Sequence, residues 1–236
     1  MKKKESLLNP TLFNQYLKCK YYIVNESLGN SKKKKTKSTL ALFGKGNKHE
    51  KNYYEILKKI YKNFTEIGRK GSKTDQLDLT SRAIVEGKDL IYQGRLGDES
   101  WSGFADFLIK VPKKSKLGNY SYEVIDTKIS AQPKPDHIIQ LANYSDMLSK
   151  IQGCMPEQMH IILRDNKKIS INTKESMDYY FINKKNFEIF LNGNYLGNTK
   201  PEKCNYCQFC DYQEVCKKNG WTKIAFTKLL AFINWI

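Results

Sequence analysis

Apolar residues along this chain follow two periods, and the boundary between them divides it. From about His49 to Ile67 the set Tyr53, Ile56, Leu57, Ile60 and Phe64 recurs every three or four positions, the spacing of an amphipathic helix. A shorter stretch, residues 10–20, carries Leu12, Tyr16 and Leu17 at the same spacing behind Pro10 and Thr11, and predicts a helix ending near Cys19. Between them, residues 26–47 are rich in Lys, Ser, Gly and Asn and read as a connection. The pattern then changes. Residues 89–96, 101–111 and 120–129 are β-branched and aromatic runs separated by Gly, Asp, Pro and Asn clusters, which predicts strands. A helix over 135–152, a strand over 157–164 and a helix near 175–192 follow. Strands followed by helices predict an α/β domain with a central mixed sheet.

Composition adds less than it first promises. No apolar run approaches the ~20 residues needed to span a bilayer. Met1-Lys-Lys-Lys4 turns polar at once, so no signal-peptide core follows, and a cytoplasmic location with reduced thiols is expected. The formal charge of +17 invites a nucleic-acid partner, because cations that neutralise phosphates release counterions. However, 37 of the 41 basic residues are Lys, and Asn, Ile and Tyr are also abundant, a bias that an AT-rich genome produces whatever the function. The run Lys32-Lys-Lys-Lys35 reads as a solvated loop or as a phosphate-contacting arm. An apolar tail, ending Phe232-Ile-Asn-Trp-Ile236, stops without a polar cap and suggests truncation or a missing neighbouring domain.

Two groups of residues carry chemistry. Asp106 lies inside the apolar run Gly103-Phe-Ala-Asp-Phe-Leu-Ile-Lys-Val111, and Asp126 inside Tyr122-Glu-Val-Ile-Asp-Thr-Lys128, where a charge is costly unless it is used. Strand alternation puts Asp126 and Lys128 on one face, ~7 Å apart. Carboxylates of this kind hold hard divalent ions such as Mg²⁺, and a nearby ammonium can orient a water or meet charge developing on a phosphate. Two aspartates at strand ends could instead simply cap turns.

The second group is Cys19, Cys154, Cys204, Cys207, Cys210 and Cys216. Cys207-x2-Cys210-x5-Cys216 supplies three thiolates, and in a reducing compartment such clustering indicates a metal rather than disulfides. The fourth ligand is open on spacing. Cys204 would complete a local zinc-knuckle-like site, whereas Cys19 would tie the start of the chain to its end.

Gly46-x-x-His49-Glu50, Gly103-Phe-Ala-Asp106, Asp126-Thr-Lys128 and Gln140-x-x-x-Tyr144 occur in the order of the RecB-like branch of the PD-(D/E)XK nucleases. The chain resembles an uncharacterised RecB-like putative nuclease family related to CRISPR-associated exonucleases and to the AddB nuclease domain. Ile91-Tyr-Gln93, Pro133-Lys-Pro135 and Gln152-Gly153 share that resemblance, which covers most of residues 8–216.

It implies a single domain with a restriction-endonuclease-like core. Residues 1–48 would form the N-terminal helix and basic loop, 49–195 the nuclease core, 196–220 the cysteine cluster and 221–236 the tail. It also implies roles. His49, placed at the start of its helix, Asp106 and Asp126 would bind Mg²⁺ or Mn²⁺, with Glu50 the rival to His49. Lys128 would act on the nucleophilic water, and Gln140 and Tyr144, one helical turn apart, would line the active site. Cys19, Cys207, Cys210 and Cys216 would hold a 4Fe-4S cluster, with zinc as the alternative, Cys204 spare, and Cys154 packing as a small apolar residue. The expected substrate is DNA, as single strands or strand ends, in repair, recombination or defence. A helicase or ribonuclease-H-like region is the expected partner, since such a region usually follows the cluster in the resembled family. The competing expectation is a non-catalytic iron–sulfur or zinc DNA-binding module of a helicase or repair assembly.

Overall fold

The computed structural model describes residues 8–98 and 100–221; the apolar tail falls outside them. The chain divides into two compact units, one of Met1–Thr11 with Lys37–Ile182 and the other of Leu12–Thr36 with Asn183–Ile236.

The first unit is built on a six-stranded mixed sheet in sequence order, comprising β1 (Phe64–Glu66), β2 (Leu90–Gly97), β3 (Ser102–Val111), β4 (Ser121–Thr127), β5 (Gln158–Ile162) and β6 (Lys168–Asn172). β1 and β2 run parallel, as do β4 and β5; the other neighbours are antiparallel. The three strands expected over 89–129 match β2, β3 and β4 within about two residues at each end, because the β-branched runs there are buried on both faces.

On one face Tyr53, Tyr54 and Leu57, from the helix Lys37–Ile60, pack on Leu90, Tyr92, Phe107, Ile109, Ile125 and Ile162. Phe107 is fully buried and lies 5.2 Å from Tyr92, ring centre to ring centre; its truncation to Ala would cost about 3–5 kcal/mol. Helix Lys73–Val85 opens with a capping box between Ser72 and Asp75, which satisfies two otherwise orphan backbone donors. Its Thr80 converges with Ile91 and Leu108 on the space above Gly94. Helix Pro135–Gln152 has the bounds expected from sequence, with proline pre-set for its first turn and Gly153 ending it in the left-handed region at φ +71°.

Two expectations are corrected here. The segment read as a connection over 26–47 is helical from Lys37 onward, so His49 lies in mid-helix and not at a start. That helix stops at Ile60 and does not run to Ile67. Phe64 belongs instead to β1, paired with Leu90 and set edge-on to Tyr54, so its apolar side chain serves a strand.

The second unit is helical, with an aromatic core. Phe13 and Tyr16 pack on Phe187 at 5.6 and 4.6 Å, and Tyr16 on Phe190 at 5.2 Å. The first helix, Pro10–Lys18, ends at Cys19 as expected, and a second, Lys20–Ser27, begins directly after it. Lys32–Lys35 lie in an exposed loop, and the amide of Lys33 donates to the carbonyl of Asp211 at 2.8 Å. Among the described residues no helix is long and apolar enough to cross a membrane.

Candidate active site

The site lies where the ladder of the sheet opens. β2 and β3 pair Tyr92 with Phe107 and Gly94 with Ala105, which sets Gln93 opposite Asp106 between two paired steps. β3 and β4 pair Phe107 with Ile125, so one step further Asp106 comes opposite Asp126. Three polar side chains thus occupy corresponding positions on adjacent strands. Gln93 holds φ +52°, a left-handed conformation that costs a non-glycine residue about 1–3 kcal/mol.

Asp126 is 1% exposed. Burial first, then the charges of Asp106 and Glu50, push its carboxyl up to about 7 against the pull of Lys128. The Lys128 ammonium forms an ion pair with its Oδ2, a buried oxygen with no further hydrogen-bond partner. Burial works against the charge of Lys128, but Asp126, Asp106 and Asp136 outweigh it and hold the ammonium above the usual lysine range. Lys128 is therefore a fixed cation. Its own amide donates to the carbonyl of Ile162 at 2.8 Å, which anchors it to β5.

Asp106 is half-buried, and its Oδ2 accepts from both the amide and the hydroxyl of Thr127 at 2.8 Å. Glu50 enters from the helix Lys37–Ile60. Burial and the charge of Asp106 raise its carboxyl above the ordinary range, while Gln93, Tyr92 and Arg69 act the other way. Gln93 donates to Glu50 and accepts from Nε of Arg69 at 3.1 Å. Glu50, Arg69, Tyr92 and Gln93, with Asn47, Lys51, Glu66 and Gly68, line an open cleft of about 480 Å³.

The remaining expected residues are placed nearby in part. Tyr144 is buried, and burial, then Asp126, raises its hydroxyl; it accepts from Nε2 of Gln140 at 3.3 Å. Gly103 makes room for it, since a Cβ there would stand 2.9 Å from the Tyr144 ring and 2.8 Å from Pro10. His49 has its Nε2 3.5 Å from the carbonyl of Ile162, the same carbonyl that anchors Lys128. Among the described residues no three His, Cys, Asp or Glu side chains stand in the arrangement of a ready-formed ion cage. Asp106 and Asp126, opposite each other across β3 and β4, are nevertheless of the donor chemistry that a hard divalent ion takes, with the charge of Glu50 acting on Asp126.

In the second unit the cysteines gather without disulfides. Cys19 and Cys204 interact electrostatically, as do Cys19 and Cys210, while Cys207 and Cys210 each interact with Cys216. Sγ of Cys204 lies 3.7 Å from Sγ of Cys207, so Cys204 is not set apart, although among the described residues no three thiols stand in the arrangement of a ready-formed metal site. Burial pushes Cys19 up to about 12 and Cys210 up to about 11. N–H groups already point at sulfur: Cys204 N to Cys207 Sγ at 3.3 Å, Tyr212 N to Cys210 Sγ at 3.4 Å and Asn25 Nδ2 to Cys216 Sγ at 3.8 Å. Such donors favour the thiolate, the form that ligates metals.

Sequence reasoning missed Arg69 and the backbone conformation of Gln93. A glutamine inside the apolar run Leu90-Ile-Tyr-Gln-Gly94 was a signal; nothing local marked Arg69. The chain matches no protein-family model and no curated protein.

Proposed function

We propose that this chain is a divalent-metal-dependent nuclease with a restriction-endonuclease-like core, acting on DNA as single strands or strand ends. The supporting observation is the buried Asp126 carboxylate. It has the charges of Asp106 and Glu50 beside it and the fixed ammonium of Lys128 in contact. The charges of Asp106 and Glu50 beside Asp126 disfavour its ionised form, and a divalent cation would offset that repulsion beyond what Lys128 supplies. Glu50, Asp106 and Asp126 would hold that ion, with His49 its neighbour along the helix. Bound Mg²⁺ or Mn²⁺ would supply Lewis acidity and lower the pKa of the attacking water. Lys128 meets negative charge developing on the phosphate. Buried Tyr144, whose hydroxyl accepts from Gln140 and feels the charge of Asp126, would support the site on that side. Hydrolysis joins the water oxygen to phosphorus and breaks one phosphorus–ester oxygen bond; the attacking water releases a proton to solvent and the departing alkoxide takes one from it.

The five thiols of the second unit suit a soft metal centre, a 4Fe-4S cluster or zinc, whose role there is structural. The N–H groups directed at Cys207, Cys210 and Cys216 support that assignment.

The test is cleavage of end-labelled single-stranded and duplex DNA with Mg²⁺ or Mn²⁺. Asp106→Ala and Lys128→Ala abolish cleavage while the circular dichroism spectrum is retained. Cleavage by both variants at the wild-type rate, or a folded, metal-supplied wild type that cleaves neither substrate, overturns the reading and leaves a non-catalytic binding module.

A further inference from the structure

Arg69 stands at the cleft with most of its donors uncommitted. Its Nε donates to Gln93, and its guanidinium lies 4.7 Å from the centre of the Phe104 ring. Among the described residues its terminal nitrogens make no hydrogen bond. Arg95 makes a useful contrast. It lies 4.8 Å from the same ring, but its Nε donates to Ser102 and its Nη1 to Gln76, both at 2.8 Å, so its donors are committed to the fold. Two guanidiniums beside one ring repel each other, and burial together with the charge of Arg69 lowers the pKa of Arg95. That repulsion is relieved when an anion arrives between Arg69 and solvent.

The position of Arg69 also fits a ligand role. Gln93, in its left-handed conformation, accepts from Arg69 while donating to Glu50. One strained residue therefore fixes the distance between a guanidinium and the carboxylate group that would hold the metal. Stacking on Phe104 removes the rotamer freedom that a long side chain otherwise loses on binding. A planar fork held in this way suits a phosphate, whose oxygens it can take two at a time.

We propose that Arg69 is a catalytic residue of the site, binding the non-bridging oxygens of the nucleic-acid phosphodiester that enters the cleft beside Glu50. The binding part stands on the cleft geometry; the rate part rests on the nuclease reading above.

The experiment uses the full chain and oligothymidylate. Binding is measured in EDTA across a salt series, and turnover is measured with Mn²⁺. Arg69→Ala is expected to flatten the slope of log affinity against log salt by about one phosphate contact and to lower kcat by about 10²-fold. Arg69→Lys restores the slope but only part of kcat, because an ammonium lacks the fork. A purely structural Arg69 would leave the salt slope unchanged. Should Arg69→Ala lose its melting transition, Arg69→Gln, which can still donate to Gln93, replaces it. A wild-type slope in the folded variant, or a wild type that does not bind oligothymidylate at low salt, overturns the inference. If the wild type binds but does not cleave with either Mg²⁺ or Mn²⁺, the nuclease reading fails and the slope alone decides whether Arg69 holds phosphate.

Discussion

Asp106 and Asp126 come opposite each other across β3 and β4, the first carboxylate held by Thr127 and the second buried against the Lys128 ammonium. The difference follows from the sheet. The β3–β4 pairing stops at Phe107 and Ile125, so the Thr127 amide donates to the Asp106 carboxylate instead, whereas Asp126 lies one residue back and is buried.

This arrangement fixes the pH behaviour of the metal-free protein. The folded Asp126 carboxyl titrates at about 7, against ~3.9 in an unfolded chain. The folded state therefore holds a proton that the unfolded state has lost. The stability linked to it is complete below ~4 and is lost as pH rises through about 7. The side-chain amide introduced by Asp126→Asn cannot titrate. In EDTA, Asp126→Asn should melt progressively higher than the wild type as pH is raised from 4 to 7, while having no nuclease activity. A melting difference that stays constant over that range would contradict the assignment.

Gly103 offers a steric test. The methyl group of Gly103→Ala would press on the Tyr144 ring and Pro10 at under 3 Å, and overpacking of this kind costs about 1–3 kcal/mol. The melting temperature should fall by roughly 2–10 °C, with cleavage reduced as Tyr144 shifts. An unchanged melting temperature would mean that the Tyr144 ring is not held where it stands.

For the cysteine neighbourhood, anaerobically purified protein with iron supplied should be brown, and Cys19→Ser, Cys207→Ser, Cys210→Ser and Cys216→Ser should each be colourless. Cys204→Ser should keep its iron. Loss of iron in Cys204→Ser with retention in Cys19→Ser would assign the local set instead, and a colourless wild type containing zinc would settle the metal. Because burial raises Cys19 and Cys210, metal uptake must displace protons, so affinity rises with pH.

The central strands β2 to β5 were legible because they are largely buried, leaving apolar runs in which Asp106 and Asp126 stood out, whereas the exposed edge strands β1 and β6 carried no such run. The first half of the helix Lys37–Ile60 was not. Leu40, Leu42 and Phe43 are exposed there, and Gly44 and Gly46 face open space, so no buried stripe signals a helix and the glycines argue against one. Its extension moves His49 to mid-helix. It also brings Glu50, named only as a rival from sequence, up to Asp106 and Gln93. Arg69 was illegible for a different reason: its significance comes from Gln93 and Phe104, both distant in the chain, and from a backbone angle that composition does not reveal.

The most direct test is Mn²⁺ binding to the full chain as purified by electron paramagnetic resonance, read against Asp126→Asn, Asp106→Asn and Glu50→Gln. The wild type should show a Mn²⁺ site that is lost or weakened at least tenfold in each variant, with the circular dichroism spectrum unchanged. Equal Mn²⁺ affinity in the wild type and all three variants would contradict the proposed metal site.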